Sequence, residues 1–193
     1  MDKWLSWLLV TAVGLPLLMF VGNLGAETLE SVNEASVDDA GLALVSPELF
    51  LGYAQANAKL GNEEGSKPGE AVAYTPPSSY ESIVPNVAYL GGVWGNDYEN
   101  LELLSMEGRI VVKYTGKSVD VIAAPGAESA LMQAVLDGAL ADSSNSGSDM
   151  LNSMAIISGH RKYSLISEAN SSTRVLEINM LGKGLKVYRL AFG

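Results

Sequence analysis

From about Asn86 to the last residue the chain breaks into short apolar segments separated by turn residues, and that rhythm limits the folds open to it. The punctuation runs Gly91-Gly92, Glu107-Gly108, Thr115-Gly116, Pro125-Gly126, Asp137-Gly138, Gly147, Gly159, Asn170 and Gly182–Gly184. The intervening segments are rich in Val, Ile, Tyr and Leu. Leu176, Ile178 and Met180 alternate with Glu177 and Asn179, and Tyr188, Leu190 and Phe192 fall on one face opposite Val187 and Arg189. Period-two alternation with a turn about every ten residues predicts a mainly β, antiparallel sandwich or barrel. No segment between the turns has the length or 3.6 periodicity of a crossover helix, which argues against a parallel α/β sheet. Ala127–Leu136 is open to either state, because Ala, Leu, Met and Gln also favour helix. Gly182-Lys183-Gly184 lacks the spacing of a phosphate-binding loop and reads as a hairpin turn.

The other strong signal is at the opposite end. Trp4–Val21 is an uncharged apolar run of 18 residues, which as a helix covers about 27 Å, close to the hydrocarbon thickness of a bilayer. Trp4 and Trp7 sit at one end, where amphipathic rings anchor to the interface. The expectation is one N-terminal membrane helix within residues 1–26, contacting the membrane through residues 4–21. Lys3 precedes the run, and Glu27, Glu30 and Glu34 follow it. Positive charge stays inside, so the protein is expected to be single-pass in the cell membrane, N-terminus cytoplasmic and residues 27–193 extracytoplasmic. The alternative is a signal peptide cleaved after Ala26 and a secreted product, with Leu24 a poor match at the −3 position. Residues 27–46 read as an acidic tether, Pro47–Leu60 as a segment docked on the domain, and Asn62–Pro77 as a loop, with the β-domain spanning 47–193.

Charge is lopsided. Residues 27–107 hold fourteen acids and two bases, a net −12, and residues 108–193 hold seven acids and nine bases, a net +2. A solvated surface accounts for this, and so does an acidic face that selects a basic partner. Nucleic acid is an unsuitable partner, since there is no basic stripe to release counterions. With zero cysteines the chain has no thiolate nucleophile, redox pair or Cys-based metal site. His160 is the only histidine, and no G-x-S-x-G elbow accompanies it, so it reads as a surface residue beside Arg161 and Lys162. The carboxylate pairs Asp38-Asp39, Glu63-Glu64 and Asp97/Glu99 read as solvated. The run Asp142–Asp149 faintly resembles a calcium loop but has Ser153 where an EF-hand needs Glu. These readings predict a non-enzyme with no cofactor and no metal.

Aromatic residues offer the best candidate for binding. Tyr53, Tyr74, Tyr80, Tyr89, Trp94 and Tyr98 concentrate in one third of the chain. If exposed on one face, Trp94, Tyr89, Tyr98 and Tyr53 would make a stacking platform for sugars or a protein partner. The alternative is that Trp94 and most of the tyrosines fill the core.

The order of several short motifs carries a resemblance. These are Pro47-Glu48-Leu49-Phe50-Leu51-Gly52-Tyr53-Ala54, Tyr74 with Pro76, Leu90-Gly91-Gly92 with Trp94, and Leu136-Asp137-Gly138. Tyr163 with Leu165, Leu176 with Ile178, and a closing Gly184–Gly193 segment ending in Phe192-Gly193 complete the set. Residues 47–193 thus resemble the C-terminal domain of DipZ-type thiol–disulfide interchange and cytochrome c biogenesis proteins. The resemblance implies a jelly-roll-like β-sandwich, similar to carbohydrate-binding modules, outside the cytoplasmic membrane. Such proteins also carry a multi-span electron-conducting domain and a thioredoxin-like domain with a CxxC pair. This chain has one apolar run and no cysteine, so any redox role is accessory. The expected function is a membrane-anchored binding or scaffold module for a protein partner in the cell envelope. The alternative is a carbohydrate-binding module that recognises envelope glycans.

Overall fold

Turn residues set the element boundaries. The structure, a computed structural model, describes residues 44–55 and 60–193. The apolar run Trp4–Val21, with its proposed helix, and residues 27–43 of the tether lie outside them. Among the described residues no helix is long and apolar enough to cross a membrane. The described residues form ten strands: β1 (Leu49–Phe50), β2 (Ala71–Tyr74), β3 (Ala88–Asn96), β4 (Leu101–Leu103), β5 (Glu107–Ala124), β6 (Ala130–Leu136), β7 (Ala139–Leu140), β8 (Met154–Ile157), β9 (Arg161–Leu181) and β10 (Lys186–Phe192). They pair antiparallel in the order β1-β10-β4-β3-β5-β9-β6-β7, with β2 on β3 and β8 on β6. The chain is therefore mainly β and antiparallel, as the alternation predicts. Two segments sharpen that reading. Ala127–Leu136 supplies strand β6, its Ala130, Met132, Ala134 and Leu136 alternately buried, so sheet packing overrides helix propensity. The expected loop Asn62–Pro77 contains β2, whose Val72 and Tyr74 are buried against β3. Prolines and glycines on both sides of that short strand masked it.

The two long strands shape the sheet. β5 and β9 pair along most of their length, with register shifts at Gly116/Ser118 and Val119/Asp120. Fully extended, a strand as long as β5 would reach ~60 Å. Yet Leu181 pairs with Glu107 at its start, Lys186 pairs with Ala124 at its end, and only residues 182–185 separate the two partners. β5 must therefore bend back on itself, and the bulges beside Gly116 are where extra residues permit it. β3 and β10 pair with different halves of β5, and β4 pairs with both of them. Gly182–Gly184 is consequently a turn, as expected, but not a hairpin: β9 and β10 lie on opposite edges of β5. Two-residue hairpin turns occur instead at Asp137-Gly138, between β6 and β7, and at Asn152-Ser153, between Leu151 and Met154, all four residues at positive φ, the conformation that matches strand twist.

The bent sheet closes over one main core that includes Leu90, Trp94, Ile110, Tyr114, Tyr163 and Leu176. On the outer face a second cluster of Ile83, Tyr89, Val111 and Val175 lies beneath the segment around the 3-10 turn Tyr80–Ser82. One expected facing is overturned. β10 bulges between Val187 and Arg189, which shifts the alternation by one residue. Val187 and Leu190 face the core, and Tyr188 turns outward. Phe192 keeps its inward side, stacked on Tyr114 at 5.1 Å. Gly193 then pairs with Ser118, its carbonyl accepting from the N–H groups of Lys117 and Ser118.

The segment Asp142–Asp149 is an ordered turn whose carboxylates are engaged by protein donors. Asp142 accepts the hydroxyl and N–H of Ser144 at 2.6 and 2.8 Å, bonds that hold its carboxyl below the usual carboxylate range. Asp149 pairs with Arg161 at 2.7 Å and accepts Ser164 N–H at 2.8 Å. The Arg161 hydrogen bond, above all, lowers its pKa. A carboxyl whose folded pKa is depressed adds stability above its unfolded pKa of about 3.9 and loses it as pH falls through the folded value. Asp149→Asn should therefore melt below the wild type at pH 7, with the two curves converging as pH drops below about 4. Melting scans from pH 7 to pH 3 check this, and parallel curves would disprove it. Arg161 is half exposed, so solvent screening keeps the gap small.

Candidate binding cleft

Phe50 of β1, Arg189 of β10 and Ile122 of β5 are cross-strand partners in one row. Their neighbours Leu49, Leu190 and Val121 are buried, so this row lies on the face away from the core. The β10 bulge sets Tyr188 on the same face, where its ring stacks on His160 at 4.4 Å between centroids and 16° between planes. Arg189 is oriented by Glu48 at 3.0 Å and lies 5.4 Å from the centre of the Phe50 ring.

Two turns complete the site. Tyr53 N–H donates to the Asp97 carbonyl at 3.1 Å, and Ala54 N–H to the Tyr98 carbonyl at 2.9 Å. This close approach requires Gly52, because a Cβ there would lie 2.2 Å from the Glu99 carbonyl carbon. The docked turns place the Tyr53 ring edge-on to Tyr98 at 5.5 Å and 84°, an arrangement that suits the ring quadrupoles. The result is a cleft of ≈ 500 Å³ lined by Tyr98, Tyr188, His160, Phe50 and Arg189, with Glu99, Gln55 and Ile122. It offers stacking surface together with hydrogen-bond donors and acceptors, the makings of a binding site for a ligand with both apolar and hydroxyl-bearing faces.

The four residues singled out from sequence divide into two pairs. Tyr53 and Tyr98 come together, 43% and 59% exposed, and of the two it is Tyr98 that lines the cleft. Trp94 lies in the core with no exposed surface, its indole N–H donating to the Gly91 carbonyl at 2.9 Å. Tyr89 is buried in the outer cluster, its hydroxyl accepting Val84 N–H at 3.2 Å. Neither ring can meet a ligand there. The sequence reading missed Tyr188, His160, Phe50 and Arg189. Tyr188 was hidden by the bulge that breaks the alternation. His160 had no sequence neighbour to mark it as part of a site.

Electrostatics follow the asymmetry of the sequence. Glu63, Glu64, Glu70, Glu81, Asp97 and Glu99 make no ion pair with another described residue, whereas Glu48 and Glu102 of the first half and Asp120, Asp137, Asp149, Glu168 and Glu177 of the second all do. Among the described residues no group of three His, Asp or Glu side chains is placed to hold a metal ion.

A family model described as the thioredoxin-like C-terminal domain covers residues 46–193. No curated protein matches the chain.

Proposed function

We propose that this chain, which belongs to the thioredoxin-like C-terminal domain family, is a non-catalytic binding module accessory to the thiol-redox machinery of the cell envelope, and that its ligand is a saccharide held in the aromatic cleft. The observation that carries the reading is the cleft itself, where Tyr98, packed edge-on against Tyr53, and the stacked His160/Tyr188 pair line one concavity beside Arg189 and Glu99. Sugar rings have apolar faces that stack on aromatics and hydroxyls that bond to charged and amide groups. A chain without cysteine has no sulfur nucleophile for disulfide exchange, so the family's association with thioredoxin enters through a partner. Kinship with the DipZ-type domains, a jelly-roll-like sandwich architecture, an anchor at residues 4–21 and an extracytoplasmic location complete this reading. The uncompensated acids between Glu63 and Glu99 favour a second interaction, attraction of a basic protein partner that weakens with salt.

The test is titration of the full-length chain, in detergent, with tetrasaccharides of glucose and of N-acetylglucosamine, followed by calorimetry. One of them is expected to bind. Tyr98→Ala and Tyr188→Ala should each weaken that binding about tenfold, or roughly 1.4 kcal/mol, near the value of one aromatic contact. Both side chains lie at the surface of the cleft, so melting should shift by less than about 0.5 kcal/mol equivalent. Absence of heat with either sugar up to millimolar concentration would remove the saccharide reading. Salt-sensitive retention of a basic envelope protein would then assign the ligand to a protein.

A further inference from the structure

The bases around the cleft are already paired, and one of its acids is not. The row formed by Phe50, Arg189 and Ile122 continues to Lys162 of β9, the cross-strand partner of Ile122. Arg189 is engaged by Glu48 at 3.0 Å and Lys162 by Asp120 at 2.7 Å. Arg161, which follows the lining residue His160, pairs with Asp149 at 2.7 Å. Glu99 is the opposite case. It lines the cleft, is exposed, and its carboxylate makes no hydrogen bond or ion pair with another described residue. Asp97, on the same turn, has no ion pair with a described residue either. The cleft therefore carries an excess of negative charge that its own bases do not neutralise.

We propose, on the reading of the cleft as a saccharide site, that it takes a saccharide bearing a cationic nitrogen, and that Glu99 is the specificity-determining residue facing that charge. The backbone that bears Glu99 is in place before any ligand arrives, which lowers the ordering cost of binding. Its turn is closed by Asp97 N–H donating to the Asn100 carbonyl at 3.0 Å, and Gly52 packs directly on the Glu99 backbone. The aromatic lining has the same preference, because ring faces attract cations. One cation already sits against it, the Arg189 guanidinium 5.4 Å from the centre of the Phe50 ring. Tyr98 and Tyr188 supply further rings of this kind. An anionic sugar meets Arg189 and Lys162 already paired, and a neutral one stacks but leaves Glu99 unused. An exposed ion pair and an exposed cation–π contact are each weak, and together they favour the cationic sugar about tenfold.

The test is calorimetry of the full-length chain, in detergent at neutral pH, with three tetrasaccharides. They are built from N-acetylglucosamine, from N,N,N-trimethylglucosamine and from glucuronate. The first two substituents are close in size, and only the trimethylammonium group is charged. The trimethylammonium sugar should bind about tenfold tighter than the acetylated one, and the glucuronate sugar should bind most weakly. High salt should narrow the gap between the first two. Glu99→Gln should bring those two affinities to parity. Glu81→Gln removes the same charge from the exposed 3-10 turn beside the outer cluster, so it should preserve the preference. Binding of the acetylated sugar with no preference for the charged one would overturn this inference and leave the saccharide reading standing. A preference that survives Glu99→Gln, or that Glu81→Gln abolishes equally, would also overturn it, since the charge would then act from elsewhere in the chain. Binding of none of the three would remove both readings.

Discussion

Trp94→Ala is expected to lower the melting temperature of the domain by roughly 6–20 °C, the largest effect of any single exchange considered. Trp94 has no exposed surface and lies within the main core with Leu90, Leu103 and Ile110. Truncating a buried Trp to Ala costs about 3–5 kcal/mol, the lost transfer energy plus the cavity left behind. That is a large part of the ~5–15 kcal/mol by which a domain is stable at all. The packing around the indole leaves little room for relaxation. Gly108 is kept free of a side chain there, since a Cβ would lie 3.0 Å from Trp94 Cζ2 and 2.4 Å from Leu103 Cδ1. The indole N–H also satisfies the buried Gly91 carbonyl, so Trp94→Phe should cost less than Ala but still about 1–3 kcal/mol. Thermal melts followed by circular dichroism separate the three proteins. An unchanged melting temperature in Trp94→Ala would place the ring at the surface and restore it as a ligand platform.

The contrast between Trp94 and Tyr98 shows how far the sequence could be read. Period-two alternation was enough to identify an antiparallel β chain, because Leu176, Ile178 and Met180 point inward whatever their strand pairs with. The same alternation misplaced Tyr188, because the extra residue of a β-bulge puts Val187 and Tyr188 on one side of it out of phase with Leu190 and Phe192 on the other. Aromatic content identified Tyr53 and Tyr98 as candidates but also Trp94 and Tyr89, since burial depends on which strands cover a position and not on its own neighbours. The cleft depends on contacts distant in sequence. Tyr53 meets Tyr98 because two turns dock, and His160 meets Tyr188 because β9 and β10 flank the same half of β5. Only the pairing of the bent strands brings those residues together.

Gly52→Ala is expected to abolish ligand binding in the cleft while leaving most of the fold intact. The added methyl would sit 2.2 Å from the Glu99 carbonyl carbon, 2.4 Å from its Cα and 2.4 Å from the Tyr98 carbonyl oxygen. All three are backbone atoms, so no side-chain rotation can relieve the overlap, and the turn at Gly52–Gln55 must lift from the turn at Asp97–Glu99. Lifting breaks the hydrogen bonds from Tyr53 N–H and Ala54 N–H and separates the two rings. Overpacking of this kind costs about 1–3 kcal/mol, and the damage is local because, apart from Leu49 and Leu51, the main core is built from other segments. The expected result is a modest fall in melting temperature, faster hydrogen exchange at the Tyr53 and Ala54 amides, and binding reduced well beyond the tenfold loss expected for Tyr98→Ala. That ordering distinguishes a positioned pair from a single contact. If Gly52→Ala bound as well as the wild type, the docked turns would have no part in recognition, and the ligand would have to rest on Tyr188, His160 and Arg189 alone.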